Sequence, residues 1–526
     1  MSTLNRRTFL KTGAAASLAG AVGMAKALEV KSADGYKWDR TCDVVVIGFG
    51  GAGGPAAVSA KEAGADVLVL EKMPVGGGNC TVSSGGFMVP DNPKDGWAYL
   101  KKTYEFSQGE CDEELLRIFC EEAQTIKEWI SKLDPEAKFR VYGHAGWQNL
   151  PGADAIKKWS IYGRKGFTGG DLLFQTFRRI AEDVQKTPVL YNTPAKRLVR
   201  EGNVVVGVIA EHEGKDMAIR AKRGVVIATG GFQCNPELVR KYVTGSKLAF
   251  LGSPGNTGDG LLMAQSMGAQ LWHMTDVSAP LGIQVPGVKA GFQLSAKVPS
   301  FIWVDQDGRR FANELTDGHC QMYVASQIDA VNHRYPRIPC YLVFDDATLR
   351  MGPLGSSLGS GWAIDREHHT WSKDCVKEIE MGLVKKADTI ADLARAIKVP
   401  AEELEATVKR WNEDIRAGKD TLFGRPVKKA AKSYAFDAPL VSAPLEKGPY
   451  YALELWPTLV NTQGGPRRDE KARIVSALGK TIPRLYGAGE LGSMWGPIYQ
   501  GACNNAEALV FGRIAGRNAA DEKHWC

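Results

Sequence analysis

Val44-Val45-Val46-Ile47 runs straight into Gly48-Phe49-Gly50-Gly51-Ala52-Gly53, and that join excludes most of the folds open to a chain of this length. A short, continuous, β-branched apolar run is what a strand buried on both faces of a parallel sheet requires. Gly48, Gly50 and Gly53 follow at the G-x-G-x-x-G spacing. The first allows a tight turn, the second lets backbone approach a pyrophosphate, and the third lets the next helix, predicted over residues 56–63, pack on the strand. The start of such a helix presents free N–H groups and a positive dipole end to phosphate. Residues 65–70 predict a second strand, and Glu71 closes it 18 residues after Gly53, where a carboxylate accepts ribose hydroxyls. With Gly51, Ala52 and Lys72 beside them, these residues make a dinucleotide-binding βαβ unit.

FAD rather than NAD is suggested by the loop that follows, Val75-Gly76-Gly77-Gly78-Asn79-Cys80-Thr81 and Ser83-Ser84-Gly85-Gly86, glycine and hydroxyl backbone able to lie flat against a large ligand. Strands are predicted over 189–191 and 204–211, and Gly224-Val225-Val226-Ile227-Ala228-Thr229-Gly230-Gly231 reads as a buried strand ending in a glycine turn. Asn256-Thr257-Gly258-Asp259-Gly260 opens a helix over 261–267. Leu485-Tyr486-Gly487-Ala488-Gly489-Glu490 and Phe511-Gly512-Arg513-Ile514-Ala515-Gly516 return to the same pattern, so one domain is expected to draw on both chain ends.

Asn5-Arg6-Arg7-Thr8-Phe9-Leu10-Lys11 precedes a small-residue apolar stretch and Ala25-Lys26-Ala27, the order of a cleavable twin-arginine signal over residues 1–27. The stretch 12–24 is shorter than the roughly 20 residues a bilayer span needs, and no later stretch of the sequence qualifies. The expected location is the periplasm, with the twin-arginine translocase as a partner. The formal charge of +7 includes four cations before Glu29, which leaves too little to argue for nucleic acid. Ten cysteines without a Cys-x-x-Cys pair indicate neither a zinc site nor c-type haem attachment.

This ordered set resembles the flavoprotein family of fumarate reductases, succinate dehydrogenase flavoprotein subunits, urocanate reductases and 3-ketosteroid dehydrogenases, over about residues 40–520. The resemblance implies an α/β fold: a Rossmann-like FAD-binding domain built from both chain ends (40–275 and 436–526) with an inserted α+β capping domain (276–435) that closes over the flavin. It also implies noncovalent FAD contacts at Gly48, Gly50, Gly53, Glu71, Gly77, Gly78, Asn79, Ser84, Gly85, Gly86, Ala228, Thr229, Gly230, Asp259 and Glu490. The substrate contacts depart from the family. Fumarate reductases carry His-Gly-x-x-Arg after the Gly-Glu pair, gripping the substrate carboxylates; here Trp495-Gly496-Pro497-Ile498-Tyr499 stands in its place. Their proton-donating arginine lies four residues after an Arg-Phe-x-Asn-Glu segment, whereas Arg310-Phe311-Ala312-Asn313-Glu314 is followed at that distance by Gly318 and then His319.

Losing one partner of a buried charge pair costs about 2–5 kcal/mol, and two grips are missing, so fumarate is a poor substrate on this reading. Aromatic side chains form a flat apolar cleft with polar tips, suited to a larger enoate or enone. The resemblance implies hydride transfer between flavin N5 and the β-carbon of an activated C=C bond, with a proton supplied to the α-carbon. Tyr499, protonated at neutral pH, is the first candidate acid and matches the Tyr-x-Gly segment of 3-ketosteroid dehydrogenases. His319 is the second, and Trp495 is expected as a wall over flavin or substrate. Tyr142, His144, Tyr162 and Arg164 can edge the access channel, and the adjacent Arg467 and Arg468 either meet flavin or an anionic substrate or, as adjacent arginines usually do, point apart and face water. With no haem motif and no second nucleotide fingerprint, electrons are expected from a separate cytochrome or quinol-oxidising protein. The competing readings are a ketosteroid-type dehydrogenase, fumarate reductase proper, and a flavin-binding module without turnover.

Overall fold

The computed structural model describes residues 26–144, 147, 150–164, 166–167, 169–245, 249–288, 290–296, 300–315, 318–356, 369–428, 441–497 and 499–525. The expected signal, residues 1–27, lies outside them but for its last two positions.

The strand predicted over Val44–Ile47 forms and begins earlier, as Arg40–Ile47, parallel to Val67–Leu70 on one side and to Lys215–Ile227 on the other. Val44, Val45 and Val46 are wholly buried, which is why this strand carries apolar residues on both faces. Lys215–Ile227 is a 13-residue strand with Arg40–Ile47 on one edge and two partners in succession on the other. Its first half runs antiparallel to Val204–His212; past an irregularity between Ala221 and Gly224, its second half lies between Arg40–Ile47 and Thr481–Gly487, parallel to both. The Thr481–Gly487 strand therefore enters the sheet beside a strand laid down more than 250 residues earlier, and the domain is made from both chain ends, as expected.

The helix Gly53–Glu62 covers one face of that sheet and packs against the C-terminal helix Cys503–Asp521. Gly512 and Gly516 lie one turn apart at the crossing, and a Cβ on either falls within van der Waals overlap of Ala52 O (2.5 Å) or Ala56 O (2.1 Å). Only glycine lets these two helices approach so closely.

A second sheet contains Phe301–Val304, Cys340–Asp345, Tyr450–Leu459, Leu281–Ile283, Phe292–Leu294 and Gly355–Ser356 in that order, with Val384–Ala387 and Ala249–Phe250 also paired to Tyr450–Leu459. Most of it falls in the segment expected as the cap. Tyr450–Leu459 differs: it lies beyond the expected boundary at 435, yet it is the strand on which the cap sheet is assembled. The helices Ile390–Ile397 and Ala401–Arg416 pack on this sheet through Leu393, Leu404, Val408 and Trp411. Beneath them Arg310, held bidentate by Glu314 and paired with Asp420, stacks with Arg425 on Trp411. All four ionic side chains are buried, so each charge depends on its partners. The cluster anchors the Arg310–Glu314 segment and hence the start of the loop that carries His319. No described helix is long and apolar enough to cross a membrane.

Candidate active site

A cavity of about 770 Å³ opens at the carboxyl ends of Arg40–Ile47, Val67–Leu70 and Lys215–Ile227. Gly48, Gly50, Gly51 and Ala52 form one wall, Glu71 and Lys72 the next, then Gly78 and Asn79, Ala228 to Gly230, Asp259 and Glu490. Gly48 sits at φ +95°, and a Cβ there falls 2.5 Å from Ala228 O, so the turn fits only glycine. Ala52 gives the Gly53–Glu62 helix no side-chain cap; Gly54 N is bonded to Gly50 O and Pro55 has no N–H, so the cavity-lining turn amides of Gly51 and Ala52 are what this helix start offers a phosphate.

Glu71 ties the turn to its strand: Oε2 accepts from Phe49 N and Oε1 from Met73 N, each at 2.8 Å. Burial pushes its carboxyl above the usual range, and the two amides oppose this. Lys72 Nζ donates to Thr257 Oγ1 (2.6 Å) and Asp259 Oδ2 (2.7 Å) across the cavity floor. Asn79 Nδ2 donates to Glu490 Oε2 at 2.8 Å, and Asn504 Nδ2 approaches Oε1 at 3.4 Å. Burial pushes the Glu490 carboxyl up to about 7, against the pull of these two amides.

Five of the expected cofactor residues stand behind the wall. Gly53 abuts Gly48 O, Gly77 turns the chain into the short helix Gly78–Val82, and Ser84, Gly85 and Gly86 pack against Gly169 and the Tyr142 hydroxyl. Sequence reasoning missed Asn504 and Asn505, which open the C-terminal helix and line the cavity; Asn505 Nδ2 donates to Gly86 O at 2.9 Å and to Ser83 Oγ at 3.1 Å. It also missed Asp171 and Thr193 on the walls, single polar residues on distant segments with no motif to mark them, and it read Asn256 only as the opening of a helix.

His319 and Tyr499 come together from the 276–435 segment and the C-terminal segment, ring centroids 4.1 Å apart, outside the residues that line the cavity. Ser278 Oγ lies 2.6 Å from His319 Nδ1, and Trp147 Nε1 donates to Tyr499 O at 3.3 Å. Trp495 is corrected from wall to core. It is wholly buried, edge-on to Phe119 at 5.0 Å, and does not line the cavity. Arg468 is likewise corrected. Arg467 reaches outward to Asp112 at 2.8 Å, but Arg468 is wholly buried, pairs with Glu507, and donates to Gly489 O and Leu491 O, both at 3.2 Å. It thereby braces the two peptide groups on either side of Glu490. Arg164 is taken up by Asp134 and Glu136.

Two buried atoms decide whether this cavity fits a dinucleotide. Thr229 Oγ1 and Asn256 Nδ2 belong to cavity-lining residues and have no partner among the described residues, the state of groups that a ligand completes. With the Gly51–Ala52 turn at the helix start for phosphate and Glu71 for ribose, the lining suits FAD. A family model described as FAD binding domain matches residues 43–505.

The chain belongs to the FAD binding domain family.

This FAD-binding oxidoreductase is 28% identical over 512 residues to a fumarate reductase (cytochrome) of Shewanella frigidimarina, covering 91% of this chain and 77% of the other. It is also 28% identical to the acrylate reductase flavoprotein subunit of Shewanella woodyi, covering 98% of each. Its fold matches the crystal structure of 3-ketosteroid Δ1-dehydrogenase from Sterolibacterium denitrificans, with TM-score 0.79 and 24% identity over 91% of this chain and 99% of that one.

Proposed function

We propose that this FAD-dependent oxidoreductase is an exported reductase that adds hydride and a proton across a C=C bond conjugated to a carbonyl or carboxylate. The observation that carries the reading is the His319–Tyr499 pair. Bound FAD supplies the hydride chemistry; the chain's own residues supply the proton. A tyrosine hydroxyl is protonated at neutral pH and donates to the α-carbon as charge develops on the carbonyl. His319 stands against the Tyr499 ring and is oriented through Nδ1 by Ser278. The stacked aromatic rings favour a substrate more planar and apolar than fumarate.

The flavoprotein-subunit relative supports a separate electron donor; on this reading the donor is a cytochrome or a quinol-oxidising protein and the reduction is terminal electron transfer in the periplasm. The test is anaerobic reoxidation of the dithionite-reduced holoenzyme by fumarate, urocanate, cinnamates and steroid enones, followed at the flavin band. Rapid reoxidation by an aryl enoate or enone is the expected result. Reoxidation by fumarate alone overturns the substrate reading, and bleaching of oxidised flavin by a saturated steroid ketone moves the answer to a dehydrogenase.

A further inference from the structure

We propose that the side-chain amides of Asn461 and Gln463 bind the activating group of the substrate and select an uncharged carboxamide, which both donates and accepts hydrogen bonds, over a carboxylate or a ketone; the inference rests on the reductase reading above and narrows its substrate. Asn461–Thr462 pairs antiparallel with Val277–Ser278, with Ser278 opposite Asn461 and Val277 opposite Thr462. Gln463 N donates to Asp276 O at 2.8 Å, which carries the register on by one residue. Successive strand residues point to opposite faces. Thr462 takes one face, where its Oγ1 accepts from Phe232 N at 2.9 Å. Asn461, Gln463, Ser278 and Asp276 share the other. That second face adjoins the proposed acid. Ser278 Oγ meets His319 Nδ1 at 2.6 Å, and the His319 ring lies against Tyr499 at 4.1 Å. Asp276 Oδ2 stands 3.5 Å from where a Cβ of Gly496 would be, so both rungs of this strand pair meet the 496–499 segment. Directly opposed side chains have Cβ atoms about 4.5–5.5 Å apart, which sets Asn461 beside the Ser278–His319 contact and Gln463 beside Asp276.

Asn461 is 1% exposed and Gln463 0%. Yet Asn461 Nδ2 and Oδ1 and Gln463 Nε2 and Oε1 all lack a hydrogen-bond partner among the described residues. Buried polar groups are bonded as a rule, and two whole amides left bare burden the unliganded chain until a ligand completes them. Each amide offers an NH2 and a C=O, whichever way round it is turned, so the ligand that completes the pair must accept and donate. A carboxylate or a ketone only accepts, and a substrate admitted between this face and the Tyr499 segment with either group leaves both amide oxygens stranded. A carboxamide answers both halves. A site built to bond a substrate N–H rejects the analogue that lacks it. An anion here also meets the Asp276 carboxyl, whose charge burial already disfavours.

The experiment titrates the oxidised holoenzyme with three ligands of nearly one shape, 3-phenylpropanamide, 4-phenylbutan-2-one and 3-phenylpropionate, read as a shift of the flavin band, in the native protein and in Asn461→Leu and Gln463→Met. Cinnamamide, 4-phenylbut-3-en-2-one and cinnamate are compared in parallel as oxidants of the reduced holoenzyme. The native protein is expected to bind the amide about 10-fold or more tighter than the ketone or the acid, and each variant to bring the amide within about threefold of the ketone. Because the two amides have no partner in the unliganded chain, the ligand-free variants are expected to melt at or above the native temperature, an outcome that a purely structural role for either amide does not give. A native protein with no preference for the amide, variants that keep that preference, or variants melting more than about 4 °C below the native protein each overturn the proposal. The native preference is read without any variant, so a misfolded variant does not shield it. If the amide binds in an Asn461-dependent way while no alkene reoxidises the flavin, the reductase reading fails and the amide grip stands. If alkenes reoxidise the flavin and the native protein shows no preference for the amide, the reverse holds.

Discussion

Replacing Arg468 with methionine removes a wholly buried guanidinium and leaves Glu507 buried without its counter-charge, while Gly489 O and Leu491 O lose their donor. Removing one partner of a buried pair costs about 3–5 kcal/mol. In a domain of this size each kcal/mol moves the melting temperature by about 2 °C, so Arg468→Met is expected to melt roughly 6–10 °C below the parent holoenzyme, measured by circular dichroism with excess FAD. The double variant Arg468→Met/Glu507→Leu contains no stranded charge and is expected to recover part of that loss. Burial already holds the Glu507 carboxyl above the ordinary 4.5, with Arg468 opposing; without Arg468 the carboxyl rises further. A group whose folded value is raised stabilises the fold below its unfolded value and loses that contribution as pH rises, so the defect of the single variant is expected to grow from pH 5 to pH 8. A single variant melting within 2 °C of the parent, or a double variant whose loss is the sum of the two single losses, refutes this account of the brace.

Tyr499→Phe is expected to keep FAD and fold but to slow alkene-dependent reoxidation by at least about 100-fold, whereas Ser278→Ala, which only orients His319, is expected to cost less; stopped-flow absorbance separates the two. Glu490 rises from an ordinary 4.5 to about 7, so the apoprotein is expected to lose stability as pH climbs through that window, by roughly 3 kcal/mol in all. Glu490→Gln is expected to flatten the profile in chemical denaturation. Gly516→Val pushes a side chain into Ala56 O and is expected to abolish soluble, FAD-loaded protein, read from the flavin-to-protein absorbance ratio.

The strand, turn and helix from Arg40 to Glu62 were legible because each depends on residues a few positions apart: β-branched residues, a glycine spacing, an alanine-rich helix. The walls at Glu71, Asp259 and Glu490 were legible for the same reason, each standing beside a recognisable turn. Tyr450–Leu459 is not among the predicted strands, and nothing local says that it pairs with Cys340–Asp345 and not with the first sheet. Arg468 looks like one of two surface arginines until Glu507, 39 residues later, is folded against it. Trp495 occupies a motif position, yet its side chain follows Phe119 into the core, because motif spacing fixes where backbone runs and not which way a side chain turns.

The strand Lys215–Ile227 has a consequence for how the protein is made. Until residues 481–487 have left the ribosome, one edge of its parallel half has no neighbour, and until residues 503–521 follow, the Gly53–Glu62 helix lacks the partner that its glycine contacts are cut to fit. Glu490, Asn504 and Asn505 also arrive last. The cofactor chamber therefore closes only once residues 481–521 have joined it, and a nascent chain stalled before residue 480 holds exposed sheet edge and lacks the Glu490, Asn504 and Asn505 wall.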